Sequence, residues 1–92
     1  MRHIAENIAF IAKMKGIRMN ALERDVGVSQ GYFSRVRRSG MGMSVETVYR
    51  AAKRLGCSMD DVCDPDLVKR VRKKGIEEAI AGLQKELKEL SE

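Results

Sequence analysis

The chain has 92 residues, 43% hydrophobic and 34% charged, with a formal net charge of +5. That is one globular domain with room for a short appendage, and its cationic balance favours a polyanionic partner over an acidic or membrane-spanning role. Two cysteines, one histidine and no glycine-rich phosphate loop exclude a zinc site at standard spacing, a disulfide framework and most acid–base catalysis. An enzyme is not expected, nor is a cofactor.

In chain order, residues 2–15 read as a first helix, with Ile4, Ile8 and Ile11 spaced at four and three and with Ala5 and Ala12 as close-packing positions. Gly16 ends it. Phe10, Met14 and Ile17 offer a second apolar surface, a seat for the C-terminal segment or a partner subunit. His3 is assigned no role.

Met19 to Arg38 is the centre of the sequence: two short helices joined by a tight turn. Leu22, Val26, Val28, Phe33 and Val36 supply the interlocking apolar positions, and Gly27 sits where the chain must reverse at positive φ. Ser29 reads as N-cap of a helix starting at Gln30. Arg18 caps poorly at the start of the preceding helix, and Asn20 with Glu23 three residues on could form a substitute capping box. At about 100° per residue, Phe33, Val36 and Arg37 fall on one side of the second helix. Gly31, Ser34, Arg35 and Arg38 fall on the other, with Gln30 and Tyr32 on the flanks. Gln and Arg each make two coplanar hydrogen bonds and so suit adenine and guanine edges.

The loop Ser39-Gly40-Met41-Gly42-Met43 follows, its two methionines expected to tuck into the edge of the core. Ser44 caps a fourth helix from Val45 to Leu55, with Val48, Ala52 and Leu55 inward. Gly56 closes it, Cys57 packs as a small apolar residue, and a short fifth helix starts at Ser58 with Asp60 and Asp61 near its positive end. Both Cys57 and Cys63 are expected to be reduced.

These residues resemble the lambda-repressor-like, Cro-type helix-turn-helix family. The likeness runs from about Ile8 to Val62 and is carried by Leu22, Glu23, Gly27, Val28, Ser29, Phe33 and Val36, then Ser44-Val45-Glu46-Thr47-Val48, Ala52, Leu55, Gly56, and Ser58 with Met59-Asp60-Asp61-Val62. The resemblance implies an all-α fold, a five-helix domain whose third helix enters the major groove, commonly as a dimer on a near-palindromic operator. Amides of the loop after the third helix hold a phosphate in such proteins. The chain departs from the family pattern in three places. Glu23 stands where a small Ala is usual, a frequent Arg–Glu pair is replaced by Ala12 and Arg37, and Arg18 holds the usual cap position of the second helix. With both ends of the pair missing together no buried charge is orphaned, and Arg37 can reach a phosphate, Glu6 or solvent.

The expected base contacts are Gln30, Gly31, Tyr32, Ser34 and Arg35, and the expected phosphate contacts Arg18, Asn20, Ser29 and Arg38. The expected function is a cytoplasmic, sequence-specific DNA-binding regulator of the repressor type, acting on double-stranded DNA as a homodimer. Alternatives are an antitoxin that represses its own operon while its C-terminal helix grips a toxin, and a protein-interaction module that has lost DNA binding.

Asp64-Pro65 is a helix-start signal and the expected boundary between a DNA-binding domain, 1–64, and a C-terminal helical extension, 65–92. Residues 66–75 carry five cations against Asp66, whereas 76–92 carry two against five carboxylates. Gly75 is a kink or a stop. Beyond it Ile76, Ile80, Leu83, Leu87 and Leu90 repeat at four, three, four, three, a coiled-coil seam that either pairs with its twin in a second subunit or folds back on its own domain. No stretch approaches the length of a membrane span.

Overall fold

The computed structural model describes residues 2–75, and among these it is all-helical. The elements are α1 (Arg2–Met14), α2 (Met19–Val26), α3 (Tyr32–Ser39), α4 (Val45–Leu55), α5 (Met59–Cys63) and α6, described over residues 67–75.

Helix boundaries follow local chemistry in most places. Ser44 caps α4 by accepting from the Thr47 amide at 3.1 Å, and Glu46 in the first turn pairs with Arg50 one turn on. Ser58 and Asp61 form a reciprocal capping box on α5. Gly27 ends α2 at φ 88°, a left-handed conformation that a Cβ would strain, and so turns the chain towards α3. At the start of α6 the Asp64 side chain accepts from the Asp66 amide at 2.8 Å. The helix is described as far as Gly75.

α1 is the central strut: α3, α4 and α5 all pack against it, while α2 leans chiefly on α4. Its stripe of Ile4, Ile8 and Ile11 meets Leu22 and Val26 of α2, Phe33 and Val36 of α3, Val48 and Leu55 of α4, and Val62 of α5 in one core. Ala5, Ala12 and Ala51 are fully buried, letting backbones approach closely. The core continues past residue 64, since Leu67 of α6 is buried in it and Val71 packs on its edge.

Polar ties fix how the helices are stacked. Asn7 is 3% exposed and donates from Nδ2 to the carbonyls of Val62 (2.9 Å) and Asp64 (2.6 Å), closing the end of α5. His3, given no role by the sequence, donates from Nε2 to the Cys63 carbonyl at 3.2 Å. Arg54 of α4 reaches Asp25 of α2 at 2.7 Å, and Arg70 of α6 pairs with Asp64 at 2.9 Å. Lys15 donates to the carbonyl of Leu55 at the end of α4.

Of the loop methionines, Met43 enters the core as expected but Met41 does not, being 42% exposed beside α3. Phe10 and Met14 form one wall of an apolar groove whose other wall is Leu67 and Val71 of α6, with Cys57 also lining it. Ile17 of the expected patch packs against the core instead. Cys57 is half-buried, and burial raises its thiol pKa; nearby Lys15 acts in the opposite direction but more weakly. No described helix is long and apolar enough to cross a membrane.

Candidate nucleic-acid interface

The buried side of α3 is short and decisive. Phe33 and Val36 are fully buried, and seating them removes about 1.5–3 kcal/mol worth of apolar surface each from water. This sets which way the helix faces. Arg35, Arg37 and Arg38 are left exposed, Ser34 is half-buried, and the rings of Tyr32 and Phe33 meet edge to face, centroids 5.3 Å apart.

The start of α3 differs from the expectation. Ser29 does not cap a helix beginning at Gln30. The first helical residue is Tyr32, and the N-cap is Gly31 at φ 81°. The amides that a cap would satisfy go instead to Glu23, eight and ten residues back: Oε1 accepts from Gly31 N at 3.0 Å and Oε2 from Phe33 N at 3.2 Å. Glu23 is 3% exposed, and so it takes no part in a capping box on its own helix. α2 begins at N-cap Arg18 with no side-chain cap at all. A carboxyl that reaches both amides satisfies two orphan donors at the positive end of α3, where a serine hydroxyl would satisfy one.

Released from capping, Ser29 serves Arg35. The Arg35 guanidinium folds back along α3, donating to Ser29 Oγ at 2.6 Å and to the Gln30 carbonyl at 3.0 Å. It passes so close over Gly31 that a Cβ there would stand 3.2 Å from Nη1. Thus Ser29, Gln30, Gly31 and Arg35 form one exposed cluster, with Gln30 and Gly31 in the turn rather than in the helix.

Two shallow grooves flank this cluster. One is lined by Asn20 and Arg24 of α2, with Glu23 and Val28, and by Gln30. The other is lined by Arg35, Arg38, Ser39 and Met41. Asn20 and Gln30 are therefore brought together across the α2–α3 turn, and Arg38 sits beside Arg35. Arg18 is exposed at the start of α2. Arg24 and Met41 were missed by sequence reasoning; Arg24 lies one turn on from Asn20, a spacing that could have flagged it.

The charge of the α2–α3 segment is one-sided. Residues 18–39 contain five arginines against Glu23 and Asp25. Glu23 is turned inward to backbone amides, and Asp25 is held by Arg54. Arg18, Arg24, Arg35, Arg37 and Arg38 make no salt bridge with a described residue. Such a surface can hold phosphates and present planar donors to base edges. The seam residues Ile76, Ile80, Leu83, Leu87 and Leu90 lie outside the described residues.

Compared with protein-family models, with curated proteins and with solved structures, the chain has no match in any of the three.

Proposed function

We propose that this chain is a sequence-specific DNA-binding regulator of the lambda-repressor-like helix-turn-helix type, a cytoplasmic repressor that occupies a near-palindromic operator as a homodimer. α2 and α3 serve as the helix-turn-helix, with α3 lying in the major groove. The observation that carries this reading is the exposed cluster at the start of α3: Gln30 and Arg35 side by side, Asn20 and Arg24 across one groove, Arg38 across the other, and both nearby carboxyls turned away.

In this reading Gln30 and Arg35 read base edges, with Tyr32 and Ser34 as secondary contacts, and Gly31 lets the backbone come close. Arg18, Asn20, Ser29 and Arg38 hold phosphates and supply most of the affinity. Arg24 joins them from the same groove. The N-terminal amides of α3 are not available to a phosphate, because Glu23 holds two of them.

Selection from a random duplex pool tests the proposal. The expected product is one enriched motif, with two half-sites about 34 Å apart for a two-fold dimer. Its affinity should fall steeply with salt and be competed by heparin. A pool that shows no enrichment, with binding indifferent to salt, refutes it.

A further inference from the structure

We infer that Glu23 is the positioning residue for base reading, an inference that rests on the DNA-binding function proposed above. Its carboxyl makes both of the described side-chain hydrogen bonds that join α2 to the start of α3. The helices themselves pack in different directions, α3 chiefly on α1 and α2 on α4. Beyond the short turn and the shared apolar core, the described polar tie between α2 and the first turn of α3 is therefore this one buried side chain.

That tie leads straight to the reading groups. Gly31, held through its amide by Glu23, directly follows Gln30, whose carbonyl receives Arg35. Arg35 is anchored a second time on Ser29 Oγ. Moving the carboxyl would shift the Gln30–Gly31 peptide, and both Gln30 and Arg35 would lose their common placement. Glu23 touches neither base nor phosphate in this arrangement, being buried beneath the turn. It acts on preference among sequences, while the phosphate contacts that it does not hydrogen-bond, Arg18, Asn20 and Arg38, stay as they are.

Glutamine is the discriminating replacement. It keeps the size of the side chain and one carbonyl oxygen, but its NH2 faces a second amide donor where an oxygen now accepts. Glu23→Gln is compared with the unaltered chain on the selected duplex and on a scrambled one, at several salt concentrations and with folding followed by circular dichroism. The expected result is a folded protein whose preference for the selected duplex falls about tenfold, with the scrambled-duplex affinity and salt slope unchanged. A folded Glu23→Gln protein with undiminished preference overturns the inference. A loss equal on both duplexes does so too. An unaltered protein that selects no duplex refutes the DNA-binding function itself, and the inference with it.

A measurement on the unaltered protein keeps the test independent of any variant's folding. The Gly31 and Phe33 amide protons should exchange slowly with solvent in the free protein, because their acceptor is internal. Rapid exchange at both would show that the carboxyl does not hold them and would overturn the inference.

Discussion

Replacing Asn7 by alanine should destabilise the fold strongly without touching the proposed interface. Asn7 donates to two backbone carbonyls, and the two differ in what replaces it. The Val62 carbonyl lies in a buried hydrogen bond of 2.9 Å, so its loss leaves an acceptor away from water. That costs about 1–3 kcal/mol. The Asp64 carbonyl is part-buried, at 2.6 Å, and solvent can reach it once the side chain is gone. Its bond contributes roughly 0.5–1.5 kcal/mol net, of which some is recovered. The sum is about 2–3 kcal/mol, against a total of about 5–15 kcal/mol for a small domain. Each kcal/mol moves Tm by about 4–8 °C at this size, so a fall of about 8–24 °C is expected. Urea titration and thermal melting by circular dichroism measure it, with exposed Asn20→Ala as the control, expected within about 0.5 kcal/mol of the unaltered protein. DNA affinity per folded molecule should stay unchanged for Asn7→Ala. An Asn7→Ala midpoint indistinguishable from that of the control would refute the reasoning, since it would mean that the end of α5 does not depend on this donor.

The remaining predictions concern the cationic face and the half-buried thiol. Arg35→Ala should weaken binding to the selected duplex by about 1–3 kcal/mol and relax preference at one base position, read by anisotropy on single-base variants; equal weakening on scrambled DNA would make Arg35 a phosphate contact only. Arg38→Ala should weaken both duplexes alike and reduce the magnitude of the logarithmic salt slope by about 0.9, and an unchanged slope would remove Arg38 from the phosphate contacts. Cys57, its thiol pKa raised by burial, should alkylate more slowly in the folded protein than in urea, as followed by mass spectrometry of its peptide. The same shift has a fixed sign in stability. The fold favours the neutral thiol, so this contribution is complete at neutral pH and is lost as pH rises through the folded-state pKa. Cys57→Ala should flatten that part of the alkaline decline.

What the chain states locally, it states well. The stripe of Ile4, Ile8 and Ile11, the Ser44 cap three residues before Thr47, the Ser58–Asp61 box and the reversal at Gly27 all depend on neighbours within one or two turns. Periodicity and short-range hydrogen bonding express such features directly in residue spacing. The exposure of Arg35 and Arg38 followed in the same way, because Phe33 and Val36 take the opposite side; Arg37, which the helical period puts with that buried pair, is exposed as well.

Three-dimensional packing decided the rest, and it did so wherever a polar group chose between a near and a distant partner. Ser29 is a sound cap by local rule, yet Glu23 takes the amides of Gly31 and Phe33 because the α2–α3 crossing buries its carboxyl beside both. Asn7 and His3 find carbonyls at residues 62–64 only because α5 docks on α1. Met41 and Met43 differ by two positions in an irregular loop, where no period tells which one points inward. Hydrophobic spacing is a property of one helix, but the satisfaction of a buried donor or acceptor belongs to the whole assembly of helices, and the tertiary structure alone assigns it.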